Sequence, residues 1–229
     1  MKDVLFREYK ARKRAVARRK FNMQNVSNTV NRIVRLAVLV AIIFLLEVFN
    51  FGMIKIGVVE MTILHIPVIV GAIILGPVDG AILGAVFGLV SFLECLSGKS
   101  AFGATLLAIN AFYTITMCFV PRILMGYLCG LIFKLCFRPH RKGNIIPFMA
   151  AGVSGALLNT IFFMAALILL FGSTDFVTGL RESMGNLPVI QFVIALVGIN
   201  GLIEAAVAAV LGASVSRALF FTSDLAKKA

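Results

Sequence analysis

Long apolar runs alternate with short polar stretches along most of this chain, beginning after a polar and basic stretch of 31 residues. A membrane-spanning helix needs about 20 predominantly apolar residues. Of six apolar runs, five approach or exceed that length and the second is shorter. They lie at roughly residues 33–51, 65–76, 77–96, 110–137, 146–171 and 189–211. The pattern therefore predicts an all-α membrane protein with six transmembrane helices.

The second and third runs meet at Gly76-Pro77, which predicts two helices joined by a very tight turn. Pro lacks a backbone N–H and Gly adopts backbone angles that other residues avoid, so the pair ends the first helix. Gly80, Gly84 and Gly88 then recur every four residues. Such a face of small residues lets membrane helices approach closely. We expect this hairpin to be the packing centre of the bundle.

The polar stretches divide the chain into three predicted parts. Residues 1–31 form a basic arm, residues 32–217 a six-helix transmembrane domain and residues 218–229 a short tail. An even number of spans puts both ends on one side, and that side carries 18 of the 22 Lys and Arg residues. Because cytoplasmic loops are enriched in Lys and Arg, both termini are predicted to be cytoplasmic.

The basic arm determines which partners are expected. Eleven of the 22 basic residues lie at or before Arg35, and the densest runs are at residues 12–14 and 18–20. Next to a membrane, such a segment attracts anionic lipid head groups. The arm lacks the interleaving of basic and aromatic residues that single-strand binders use, so no nucleic acid is expected as a partner.

Composition excludes an ordinary soluble protein, since 60% of the residues are hydrophobic and the mean hydropathy is +1.01. The four cysteines form no Cys-x-x-Cys pair, which favours buried thiols over a metal site. Gly98-Lys99-Ser100 is similar to the end of a phosphate-binding loop, but the leading Gly is missing. No catalytic constellation is recognisable, so we expect that the protein is not an enzyme.

Two charged side chains inside predicted spans stand out, Arg122 in the fourth and Glu204 in the sixth. At 1.5 Å per residue, both lie roughly 20 Å from the outer end of their spans. Charged groups at membrane depth are costly, and they mark either a functional site or a buried ion pair. The two side chains therefore either neutralise each other or attract an anionic group of a ligand.

Uncharged polar residues extend this candidate site. Asn110 and Tyr113 lie in the outer part of the fourth span, Asn159 lies in the middle of the fifth, and Asn200 lies one turn from Glu204. Each alone is typical of a hydrogen bond between membrane helices. Together they favour a ligand cavity that opens to the outside.

Small residues in the first span indicate a second surface. Ala37 and Ala41 are four residues apart and share one helical face. Such a face is used either for packing within the bundle or for docking a helix of another membrane protein.

With these features, the chain resembles the substrate-binding (S) components of energy-coupling factor (ECF) transporters, the vitamin-uptake systems of bacteria. The resemblance covers residues 32 to about 217. It depends on six spans with both ends inside, on Ala37-x-x-x-Ala41 and on the hairpin His65-Ile-Pro-Val-Ile-Val-Gly-Ala-Ile-Ile-Leu-Gly-Pro. Through the hairpin and Phe119-Val-Pro-Arg-Ile-Leu, the chain is most similar to the pantothenate type.

The resemblance implies a high-affinity capture subunit in the bacterial cell membrane. It would bind a vitamin, here pantothenate, in a cavity closed by the outer loops 50–60, 97–109 and 172–188. It would then associate, through Ala37 and Ala41, with a membrane coupling subunit that carries two ATPases. ATP would be hydrolysed by those partners, so this chain itself would need no cofactor.

The same resemblance assigns roles to the candidate residues. Pantothenate carries a carboxylate, for which Arg122 is the expected counter-charge and Lys99 the alternative in a loop. Asn110, Asn159 and Asn200 would meet its hydroxyls and amide.

Three other functions are weighed against this one. The chain could be an S component for another vitamin, such as cobalamin, pyridoxine or a thiamine precursor. A self-contained permease would need an internal repeat or an ion-coupling site, and no clear repeat relates the two halves. A membrane enzyme would use Glu204 and His65 as an acid–base pair, but these residues are predicted at different depths.

Overall fold

A computed structural model describes residues 2–49, 53–54, 61–138 and 144–222 of the chain. The described part is an all-α membrane bundle with one minimal β-hairpin. In chain order its elements are α1 (Lys2–Val48), β1 (Met53–Ile54), β2 (Met61–Thr62), α2 (His65–Ile74), α3 (Pro77–Ser97), α4 (Ala101–Ile109), α5 (Ala111–Cys136), α6 (Ile146–Phe171), α7 (Asp175–Ser183), α8 (Val189–Val207), a π-helix (Ala208–Gly212) and α9 (Ala213–Thr222).

The chain divides into two compact units, Met1–Val38 and Leu39–Ala229. In its described part, the first unit is helical and belongs to α1. The second unit contains the bundle and the two strands.

Among the described residues, five helical segments are long and apolar enough to cross a membrane: Val26–Val48, Pro77–Ser97, Ala111–Cys136, Ile146–Phe171 and Gly201–Phe221. The helix α2 is also apolar but has only ten residues. Nine of these ten residues are buried, so neighbouring helices rather than lipid surround it. The membrane bundle is confirmed, and the number of six spans stays a prediction.

The predicted bounds of the sixth span, 189–211, are wrong. The apolar segment that is long enough to span runs over Gly201–Phe221, and Val189–Gly198 is a separate short apolar helix. The break occurs at Gly198, whose φ of 41° and ψ of −129° interrupt the helical geometry. Glycine adopts such a positive φ without the steric penalty of a side chain. Glu204 consequently lies in the first turn of the spanning segment instead of near its middle.

Two predicted loops contain helices. Within residues 97–109, α4 begins after Ser100, whose Oγ accepts a hydrogen bond from the Gly103 N–H at 3.1 Å. Within residues 172–188, α7 begins after Thr174, whose Oγ1 faces the Val177 N–H. Capping side chains of this type satisfy N–H groups that a helix leaves unpaired at its start.

The predicted hairpin is confirmed. The helix α2 ends at Ile74 and α3 begins at Pro77, where the missing N–H costs nothing. Gly76 between them has a φ of 105°, a conformation that side chains rarely adopt.

The glycine face of α3 packs against α5. A Cβ atom at Gly80, Gly84 or Gly88 would collide with the backbone of α5 at Gly126, Arg122 or Cys118, respectively. The two backbones approach this closely because Gly has no side chain, and close approach maximises van der Waals contact between membrane helices. The stripe therefore fixes Arg122 of α5 against α3.

Candidate functional site

A cavity lies between α3, α5, α6 and α8, with β2 and the start of α4 at its margin. Its polar lining consists of Thr62, Ser91, Glu94, Ser100, Arg122, Asn159, Thr160 and Glu204. Its larger apolar lining residues are Phe87, Phe102, Met117, Phe163 and Met164. A few polar groups converging in an otherwise apolar concave space are typical of a small-molecule site.

Arg122 is the cation of this cavity. It is 8% exposed, and its Nη1 donates a hydrogen bond to the Met117 carbonyl oxygen at 2.7 Å. The guanidinium carbon lies 5.4 Å from the ring centroid of Phe87 and 4.8 Å from that of Phe163, within the range of cation–π attraction. Its Nε has no hydrogen-bond partner among the described residues. The guanidinium is thus held in place with donor capacity left for a ligand.

Glu204 lines the same cavity but has a different neighbour. It is 7% exposed, and its Oε1 accepts a hydrogen bond from the Thr62 backbone N–H at 2.8 Å. This bond joins β2 to α8 across 142 positions of sequence. Within the described chain, no direct ion pair links Glu204 to Arg122, although the two attract each other electrostatically. Arg122 and Glu204 therefore line the same cavity, as predicted, but they do not form a direct ion pair with each other.

Asn159 of α6 is the third predicted residue that reaches the cavity. It is 6% exposed, and its Oδ1 has no hydrogen-bond partner in the described part of the chain. A buried amide oxygen without a partner is costly. A hydroxyl or amide N–H of a ligand would remove that cost.

Three predicted residues do not line the cavity. Asn110 caps α5, because its Oδ1 accepts a hydrogen bond from the Tyr113 N–H at 3.1 Å. Tyr113 is 39% exposed, and its ring packs edge-on against Phe171 at 5.9 Å. Lys99 donates from Nζ to Glu47 Oε1 at 2.7 Å, and this bond raises the pKa of Lys99.

One predicted site residue cannot be placed. The backbone of Asn200 belongs to α8, but its side chain lies outside the described residues.

Glu94 is the main residue that sequence reasoning missed. It is 3% exposed and lines the cavity from α3. It lies near the end of the third predicted span and is not among the site residues predicted from the sequence. A signal was present, since Phe87, Ser91 and Glu94 are four and three residues apart and share one helical face.

Ala37 and Ala41, the predicted docking residues, are both exposed. Neither lines the cavity.

Comparisons with known proteins identify a family and two relatives. The family model described as "ECF transporter, substrate-specific component" matches residues 31–216. The pantothenic acid transporter PanT of Lactococcus lactis subsp. cremoris is 30% identical over 197 residues, which cover 80% of this chain and 91% of that protein. The pantothenate transporter PanT of Leuconostoc mesenteroides subsp. mesenteroides is 26% identical over 164 residues, which cover 70% of this chain and 75% of that protein.

Proposed function

Because the chain belongs to the substrate-specific components of ECF transporters, we propose that it captures pantothenate from outside a bacterial cell. The main observation in favour of pantothenate is the state of the Arg122 guanidinium. It is buried in the cavity, and its Nε has no hydrogen-bond partner among the described residues. A carboxylate is the group that such a donor binds best. The names of the two relatives support the same ligand.

The remaining lining fits the other end of the ligand. Pantothenate carries two hydroxyls and an amide beside its carboxylate. The Asn159 amide oxygen and the carboxyl groups of Glu94 and Glu204 accept hydrogen bonds from hydroxyl or N–H donors. The rings of Phe87 and Phe163 pack against apolar carbons as well as against the guanidinium. The cavity thus offers a cationic donor to the carboxylate end of pantothenate and hydrogen-bond acceptors to its hydroxyl and amide N–H groups.

Delivery into the cell requires partners in this proposal. The captured vitamin is released when the chain associates with a membrane coupling subunit and two ATPases, which hydrolyse ATP. We assign the docking to Ala37 and Ala41, because both are exposed and small side chains allow a partner helix to approach closely.

The basic arm has a separate proposed partner. Eleven basic residues at or before Arg35 attract anionic lipids at the cytoplasmic surface. Vesicles of neutral lipid and of neutral lipid with phosphatidylglycerol test this, using the whole chain reconstituted from detergent. We expect an N-terminal fluorophore to respond to phosphatidylglycerol and the response to disappear at high salt. An equal response in both vesicles contradicts the assignment.

Calorimetric titration of the purified chain tests the ligand. Pantothenate is compared with cobalamin, pyridoxine, a thiamine precursor and pantothenol, the alcohol that lacks the carboxylate. We expect pantothenate to bind most tightly. Tight binding of another vitamin with none of pantothenate would assign the chain to a different member of the family.

Uptake in reconstituted vesicles tests the division of labour. We expect accumulation of labelled pantothenate only when the coupling subunit, the ATPases and ATP are present. Uptake by this chain alone would make it a self-contained permease.

A further inference from the structure

The residue before Arg122 is a proline inside a helix. Pro121 lies in the interior of α5, between Ala111 and Cys136. An interior helical residue donates its N–H to the carbonyl four positions earlier, and proline has no N–H to donate. For Pro121 that carbonyl belongs to Met117. The helix therefore leaves the Met117 carbonyl without its normal donor.

The vacant position on this carbonyl is taken by Arg122. Its Nη1 donates to the Met117 carbonyl oxygen at 2.7 Å, five residues back along the same helix. A hydrogen bond from a charged donor is about twice as strong as a neutral one. The bond turns the guanidinium back along α5, where it lies between the rings of Phe87 and Phe163.

We propose that Pro121 positions the Arg122 guanidinium in the cavity by freeing the Met117 carbonyl to anchor it. Pro121 is a positioning residue, since it acts through Arg122 and does not line the cavity. The anchor occupies Nη1 and leaves the buried Nε without a partner in the described residues. The long Arg122 side chain, which otherwise has many rotamers, is thereby fixed before a ligand arrives. Fixing it in advance lowers the entropic cost of binding. The consequence for a carboxylate ligand rests on the proposed function, whereas the anchor itself does not.

Pro121→Ala is the direct test, because it restores the N–H that competes for the Met117 carbonyl. Pro121→Ser restores the same N–H and serves if the alanine variant does not fold. Pro147→Ala is the matched control, since Pro147 lies in the first turn of α6, where helical N–H groups have no partner anyway. Neither Pro147 nor its neighbours line the cavity.

The first measurement needs no ligand. Arginine labelled with ¹⁵N in the guanidinium is observed by NMR in micelles, and the Arg122 signals are assigned by their loss in Arg122→Lys. In the unmodified chain we expect hindered rotation and slow proton exchange at Nη1. Both should be lost in Pro121→Ala and kept in Pro147→Ala. Free rotation in the unmodified chain, or no change in Pro121→Ala, would overturn the proposal.

The second measurement compares pantothenate with pantothenol. We expect Pro121→Ala to weaken pantothenate binding by about tenfold, and to leave pantothenol binding within about twofold of the unmodified chain. Equal weakening of both would show that Pro121 only shapes the helix and would overturn its positioning role. If the unmodified chain binds no pantothenate, the proposed function fails, and the NMR measurement alone decides on the anchor.

Discussion

Among the described residues that line the cavity, one is an arginine and two are glutamates. Glu94 and Glu204 both attract Arg122 electrostatically, as opposite charges do in a buried site. An anionic ligand in this cavity meets one guanidinium that attracts it and two carboxyl groups that do not. We therefore expect recognition of a carboxylate here to depend strongly on Arg122, the one cation among the described lining residues.

Arg122→Ala tests this dependence. We expect pantothenate affinity to fall by at least about tenfold, which is about 1.4 kcal/mol of binding free energy. Pantothenol, which has no carboxylate, should lose much less. Lys134→Ala is the control, since Lys134 is an exposed cation of α5 outside the cavity. Unchanged pantothenate affinity in a folded Arg122→Ala chain would leave Arg122 with a structural role only.

At the scale of elements, the position of Arg122 depends on how closely α3 approaches α5. Gly84 faces the backbone of Arg122 itself, so any side chain there pushes the two helices apart. The packing thus transmits a change in α3 directly to the cavity. Gly179 in α7 offers the contrast, because a Cβ atom there would meet nothing within 4 Å.

Gly84→Ala should destabilise the bundle by about 1–3 kcal/mol, the usual cost of overpacking. Gly179→Ala should be neutral or slightly stabilising, as Ala is favoured over Gly in a helix. The chain has no Trp, but Cys95, Cys118 and Cys129 are buried. A thiol-reactive dye that fluoresces as these cysteines become exposed on heating therefore measures unfolding. Equal melting temperatures for the two variants would contradict the close packing of α3 on α5.

The hydrogen bond from Thr62 to Glu204 joins two other elements. It ties β2 to α8 at the margin of the cavity. Glu204→Ala removes the acceptor, and we expect ligand dissociation to become roughly threefold to tenfold faster. Glu204→Gln keeps an acceptor oxygen and is the control. Stopped-flow displacement of a labelled ligand measures the rates, and identical rates for the two variants would rule out this role.

At the scale of the whole molecule, the proposed capture and the proposed delivery use different surfaces. The cavity is lined from α3, α5, α6 and α8, whereas Ala37 and Ala41 belong to α1 and are exposed. A change confined to the exposed surface should therefore separate the two activities.

Ala37→Leu and Ala41→Trp are expected to leave pantothenate affinity unchanged and to reduce uptake by the complete transporter severalfold. A larger side chain keeps a partner helix at a distance and removes its van der Waals contacts. Calorimetry measures the first quantity and vesicle uptake the second. Normal uptake in both variants would move the docking surface elsewhere.

Much of the fold was predictable because it depends on local pattern. The apolar runs gave α3, α5 and α6 nearly to their observed ends, and Gly76-Pro77 gave the turn. The family assignment from these motifs is confirmed over residues 31–216. The sixth span was misplaced because Gly198 breaks an apolar run that composition alone shows as continuous.

The site was only partly predictable, because it depends on which helix faces meet. The cavity is lined, as expected, by Arg122, Asn159 and Glu204. Asn110 instead caps α5 by accepting a hydrogen bond from a backbone N–H in its first turn. Glu94 was overlooked, although it shares a face of α3 with Phe87.

The sequence by itself determined the apolar lengths, the tight turn, the glycine stripe and the family, since these follow from the order of residues along one chain. Only the tertiary structure decided that the Arg122 guanidinium lies between Phe87 and Phe163, and that Glu204 holds Thr62. Those contacts join residues far apart in sequence. Such contacts depend on how each helix is rotated about its axis and on which helices are its neighbours. Packing of the whole bundle determines the rotation and the neighbours.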